Sequence, residues 1–146
     1  MTKICLFILT IIFVSNVFAK YDTIKNPVVP KEIVTGFSKA HPNAKLVNWT
    51  KYNNIYIASY RQDNANLWTT YDSKGQLLEN KWKVTAVNLP AATQDYIKKN
   101  NTQGIQEYYK IIDAAGTINY EVSSFAKSYI FNSEGEHYKT VELLKK

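Results

Sequence analysis

The sequence predicts an α+β protein. The expected architecture is a tandem duplication of a unit made of one helix and a four-stranded antiparallel sheet, with the helices packed on one face. Three observations predict it. Tyr71-Asp72-Ser73-Lys74-Gly75-Gln76 recurs as Phe131-Asn132-Ser133-Glu134-Gly135-Glu136, each an aromatic strand end, a polar turn and a glycine. The other punctuation repeats in the same register: Pro30 and Pro90, Asn53 and Asp113, Asn64 and Ser124, Gly75 and Gly135 all lie sixty residues apart. The chain is also rich in aromatics, with 11 Tyr and 6 Phe, which suit a half-buried pleated surface. A repeat of this length can mark a solenoid. Two copies are too few for one, so helices covering one sheet face is the preferred arrangement.

The first nineteen residues stand outside that fold. Lys3 gives a positive start, Ile4 to Val14 is almost wholly apolar, and Val17-Phe18-Ala19 offers small side chains at the two positions a signal peptidase reads. This reads as a secretory signal peptide over residues 1–19, cleaved near Ala19. The apolar run falls short of the roughly 18–20 residues that a span needs, so no stable membrane insertion is expected. Cleavage leaves 127 of the 146 residues and removes Cys5, the one cysteine. The product then has no disulfide, and packing alone must hold its core. About two thirds of the unfolded surface can be buried at this size, enough for a core.

Residues 20–29, with Pro27, form an extended lead-in. The first repeat, residues 30–87, opens at Pro30, a residue suited to a helix start. Ile33, Val34, Phe37 and Ala40 recur at helical spacing, and His41-Pro42 ends the helix. Lys45 to Tyr52 and Ile55 to Arg61 are strands around the Asn53-Asn54 turn. Leu67 to Tyr71 is a short strand, and Gly75 supplies the left-handed residue of the next hairpin. Gln76 to Val87 is the fourth run. The second repeat, residues 88–146, opens at Leu89-Pro90, and Ala92, Tyr96 and Ile97 form its helical stripe. Strands follow at Ile105 to Ile112, Thr117 to Val122, Lys127 to Phe131 and His137 to Leu144.

Several function classes lack their residues. The two histidines, His41 and His137, lie in different repeats, so no metal site is expected. Asp72-Ser73-Lys74-Gly75 begins like a calcium loop, but Lys74 stands where a ligand is needed. Neither histidine neighbours a serine or threonine motif of the nucleophilic type. Glu107 and Asp113 bracket a turn and read as solvated surface. None of the five glycines forms a phosphate loop. No catalytic residue and no cofactor are therefore expected. The formal charge of +6, which becomes +5 without Lys3, comes from dispersed lysines. Such a balance serves solubility or an anionic partner, and it lacks the basic run of a nucleic-acid stripe.

The motifs in their order carry a resemblance. His41-Pro42-Asn43-Ala44, Val47-Asn48-Trp49, Tyr56-Ile57-Ala58-Ser59-Tyr60 and Tyr71-Asp72-Ser73-Lys74-Gly75 are similar to the beta-lactamase-inhibitor-like, PepSY-like family. This is a group of secreted or periplasmic proteins frequent in Bacteroidetes. Leu89-Pro90, Tyr120-Glu121-Val122 and Phe131-Asn132-Ser133-Glu134-Gly135 continue the likeness, which spans residues 30–144. The resemblance implies export and tandem helix-plus-four-strand units merging into one sheet. It implies no established activity and carries no functional residues over. Asn132 stands where an aspartate is usual, a change that leaves the turn intact.

Each repeat has one helix to cover one sheet face, so some aromatics should face outward. Outward Trp and Tyr on a rigid sheet make good contact anchors, with large apolar area and few rotors to freeze. The expected function is an exported, non-enzymatic module that binds a protein or peptide across the exposed sheet face, with inhibition as one mode. The contact candidates are Trp49, Tyr56, Tyr60 and Trp68. The alternative is a glycan- or envelope-polymer-binding module that uses the same aromatics with the lysines.

Overall fold

The computed structural model describes residues 24–100 and 104–142. The expected signal peptide and its cleavage near Ala19 lie outside the described residues. In chain order the elements are β1 (Ile24–Lys25), α1 (Lys31–Ala40), β2 (Lys45–Tyr52), β3 (Ile55–Gln62), β4 (Ala65–Asp72) and β5 (Leu77–Val84). A 3-10 turn (Ala86–Asn88) follows, then α2 (Ala91–Lys99), β6 (Ile105–Asp113), β7 (Ile118–Ser124), β8 (Lys127–Phe131) and β9 (His137–Glu142).

This architecture corrects the expected fold class. A tandem of helix-plus-four-strand units does not describe the molecule, which is mostly a single sheet with two short helices. All strands belong to one antiparallel sheet in sequence order: eight main strands, with the two-residue β1 at one edge. The join lies between β5 and β6. They pair from Glu79↔Asp113 to Val84↔Tyr108 without a break, so the hydrogen-bonded ladder has no boundary between halves. Helices of ten and nine residues are each only about 15 Å long. Nine strands spaced at about 4.8 Å make a sheet roughly 38 Å across. The sheet is the scaffold, and the helices are local covers.

The turns show why the chain folds back where it does. Asp72 Oδ1 accepts hydrogen bonds from the backbone N–H of Lys74 and Gln76, both at 2.8 Å. Asp113 does the same for Ala115 and Thr117 at 2.9 and 2.8 Å. Asn132 repeats it for Glu134 and Glu136 at 3.1 and 2.8 Å. An amide oxygen accepts as a carboxylate does, so asparagine leaves this turn unchanged. The glycine three residues on has positive φ in each case. The β3–β4 hairpin instead uses Asp63 and Asn64, with φ of 51° and 62°, the left-handed pair that matches strand twist.

Two apolar clusters anchor the helices. Ile33 and Phe37 of α1 pack with Tyr56, Ala58, Tyr60, Leu67 and Tyr71. Phe37 meets Tyr60 edge-on, with ring centroids 5.0 Å apart, the geometry favoured by aromatic quadrupoles. Val34 and Ala40, expected on the apolar stripe, are exposed. In the second cluster Leu89, Val122 and Phe131 are buried, with Tyr96 and Ile97 of α2 partly buried against them. Ala92 is exposed, and Thr93 is the buried residue of this helix. The start of each helix rests on a glycine turn. A Cβ on Gly75 would meet Ile33 at 3.4 Å, and one on Gly135 would meet Pro90 at 2.7 Å.

The edge at β2 is irregular. β1 pairs only with Lys51 and Thr50, and the β2–β3 register shifts between Lys45 and Asn48. Leu46 in that bulge has φ of 54°, a conformation leucine adopts only under strain. Bulges of this kind twist an edge and discourage further strand pairing.

Candidate functional site

Side chains alternate across a sheet, so register sorts them by face. Tyr56 pairs with Tyr71, Ala58 with Thr69 and Tyr60 with Leu67, and all six lie on the face that meets α1. The intervening residues face away from both helices. One row on that helix-free face runs Asn48, Ser59, Trp68, Lys81, Ile111, Asn119. The next runs Lys83, Tyr109, Glu121, Ile130, Lys139.

Four of these residues form a belt across β4 to β7. Trp68 meets Tyr109 edge-on, with centroids 5.6 Å apart at 81°. Lys81 Nζ lies over the same ring, 4.1 Å from its centroid, within cation–π range. That ammonium also reaches Glu121 Oε2 at 2.7 Å. Ser128 Oγ donates to the other oxygen, Glu121 Oε1, at 2.8 Å. Glu121 and Ser128 are buried and Lys81 is half-buried, so the pair is desolvated and held by additional hydrogen bonds. The Tyr109 hydroxyl donates to Glu107, whose other oxygen takes Lys83 Nζ at 2.7 Å.

The electrostatics show what the belt does not do. Burial pushes the Tyr109 phenol up, and the Glu107 carboxylate adds to that, so the ring stays neutral. The hydrogen bonds from Lys83 and Tyr109 hold Glu107 below its usual range. Burial raises Glu79, against the pull of Lys81. Among the described residues no group of three or more His, Cys, Asp or Glu is placed to hold a metal ion. Among them, too, no helix is long and apolar enough to cross a membrane. Tyr109 and Glu121 are buried, so the belt reaches the surface through half-buried Trp68 and Lys81, which the other two hold in place.

The four sequence-predicted contact residues divide. Tyr56 and Tyr60 are buried beneath α1, at 7% and 4% exposure. Trp49 is partly buried against the same cluster, edge-on to Phe37 at 5.4 Å. Trp68 alone of the four lies on the helix-free face. The Tyr60 hydroxyl bonds His41 Nδ1 at 3.1 Å and Thr69 Oγ1 at 3.2 Å, and Thr69 donates to Asn80 Oδ1 at 2.8 Å. These groups tie α1 to the sheet. Sequence reasoning missed Lys81, Tyr109 and Glu121. The available signal was a charged residue at every second position of β5, Glu79, Lys81 and Lys83, in a strand with partners on both sides.

Comparison with known proteins matches the fold. No protein-family model matches the sequence, and no curated protein matches it. Solved structures do. A candidate periplasmic protein from Bacteroides eggerthii superposes with a TM-score of 0.67 at 14% identity, covering 80% of this chain and 90% of that one. A DUF2874 family protein from Bacteroides ovatus gives 0.66 at 14% identity, covering 80% and 89%. A BLIP-like protein from Bacteroides fragilis gives 0.64 at 15% identity, covering 81% and 89%. The chain therefore has a BLIP-like fold.

Proposed function

We propose that this chain is an exported, non-enzymatic module that binds a protein partner across the helix-free face of its sheet. One observation carries the reading. Trp68 and Lys81, held by buried Tyr109 and Glu121, form a pre-ordered patch on a face that neither helix covers. Aromatic side chains locked by neighbours lose little entropy on binding, which is how contact anchors gain affinity. The neighbours add support. One is BLIP-like, and another is a candidate periplasmic protein, consistent with export to the periplasm. Inhibition of an extracytoplasmic enzyme, and the PepSY-like part of the resemblance, are the finer readings proposed with it. Trp68 is the contact residue among the four candidates. Trp49, Tyr56 and Tyr60 serve by holding α1 on the sheet.

Site-specific photocrosslinking in the native periplasm tests this. A benzophenone side chain at Trp68 should form adducts with a discrete protein, and one at exposed Ala92 on α2 should not. Equal labelling from both positions would refute the assignment. Adducts confined to polysaccharide at position 68 would favour the envelope-polymer alternative.

A further inference from the structure

A groove opens beside the helix-free face, between the α1–β2 loop and the β3–β4 hairpin. Its cavity is about 730 Å³, and Pro42, Lys45, Leu46, Arg61 and Asp63 are among its lining residues. A second hollow of about 190 Å³ adjoins it, lined by Leu46, Arg61, Asn48 and Trp68. Leu46 and Arg61 belong to both, so the groove runs into the belt.

Two independent features mark this groove as incomplete by itself. Lys45 and Arg61 are direct cross-strand partners, and both are exposed. Like charges placed opposite each other destabilise a sheet. Neither cation forms an ion pair with the described residues, Asp63 included. Leu46, between the cations and Asn48, holds a left-handed φ of 54° while leaving 74% of its surface in water. Strained backbone and an exposed leucine together are features that cluster at binding sites.

We infer that this groove binds an acidic peptide segment, with a side-chain carboxylate held between Lys45 and Arg61 and an apolar neighbour against Leu46. The inference rests on the proposed protein-binding reading in one respect, that the ligand is polypeptide. A carboxylate offers two oxygens to a guanidinium and an ammonium. An apolar residue beside it covers the leucine. A sulfated or phosphorylated sugar would meet the cations but offers nothing to Leu46.

The test uses two N-acetylated, C-amidated pentapeptides: one of alternating glutamate and leucine, the other with glutamine in place of each glutamate. Each is titrated into the 15N-labelled mature protein while amide shifts are followed. The acidic peptide should shift Leu46, Arg61 and Asn64, and the glutamine peptide should not. The Lys45→Gln/Arg61→Gln variant should bind about two- to thirtyfold more weakly, the range for two exposed charge pairs. The swap Lys45→Arg/Arg61→Lys should restore binding, which separates lost charge from lost fold. Equal shifts with both peptides, no effect of removing the charges, or shifts confined to the belt would overturn the inference. So would a sulfated polysaccharide that shifts these amides when the acidic peptide does not. Crosslinking at Trp68 reads the belt separately: adducts there with a silent groove remove this inference and leave the protein-binding reading standing.

Discussion

Lys81 on β5 reaches across β6 to place its ammonium 2.7 Å from the Glu121 carboxylate on β7. The Tyr109 ring lies beneath the bridge. One ion pair thus fixes three strands and the position of the ring that supports Trp68. Removing either partner leaves the other charge half-desolvated. Glu121→Ala should cost about 2–4 kcal/mol, somewhat below a fully buried pair because Lys81 keeps some water. Lys81→Met combined with Glu121→Leu should recover most of that loss, since an apolar pair of similar size leaves no orphan charge. Urea unfolding of the two single variants and the double variant measures the cycle. A double variant as unstable as Glu121→Ala would show that the bridge itself, rather than the orphan charge, sets the energy.

Gly135 and Gly116 both hold positive φ, 87° and 84°, but their surroundings differ. A Cβ on Gly135 would come within 2.8 Å of Thr93 Oγ1, and one on Gly116 meets nothing within 4 Å. Gly116→Ala should cost only the left-handed strain, about 1–2 kcal/mol. Gly135→Ala adds overpacking against α2 and should cost about 1–3 kcal/mol more. Thermal melts compare them, and equal losses would mean that α2 yields freely to the turn.

Leu46→Gly should stabilise the fold, against the usual effect of placing glycine in a strand. The side chain is largely in water, so little burial is lost, while left-handed strain of about 1–2 kcal/mol is relieved. Greater freedom of the unfolded chain returns part of it, leaving a gain of up to about 1 kcal/mol. Denaturant midpoints read this directly. A loss of stability would show that the leucine packs more firmly than its exposure indicates.

Two groups give opposite pH trends. Burial lowers the His41 pKa, so the folded state holds this proton less tightly than the unfolded chain. Its contribution is full above the unfolded value of about 6.5 and falls as pH drops through the window below it. Burial raises the Glu79 pKa, so there the folded state holds the proton more tightly. Stability then falls as pH rises from the unfolded value of about 4.3 through the folded value. His41→Gln should flatten the first slope, and Glu79→Gln should raise stability at neutral pH while leaving acid conditions unchanged. Chemical denaturation at a series of pH values checks both, and a Glu79→Gln gain that persists in acid would exclude the titration.

The legible parts of the sequence were those set by local chemistry. An Asx residue followed three positions later by glycine fixes a turn whatever surrounds it, and Pro30 and Pro90 sit beside helix starts for reasons confined to a few residues. The β5–β6 pairing was not legible from the residues alone, because a 3-10 turn and α2 intervene between the partner strands; only the resemblance implied one merged sheet. Period two groups Tyr56 with Tyr60, but both faces of β3 and β4 carry aromatic or aliphatic side chains. Alternation alone could not say which face α1 would settle on. The belt was hidden for a related reason: Trp68, Lys81, Tyr109 and Glu121 meet only through the register of four strands.

The unbroken ladder between β5 and β6 has a practical consequence. A protease that nicks the 3-10 turn between those strands severs the covalent link but leaves six residue pairs laced together. The two fragments then part only with the whole sheet. Heating such a nicked protein should give one melting event rather than two. Separately synthesised halves should reassemble on mixing, which makes this join a natural place to divide the molecule.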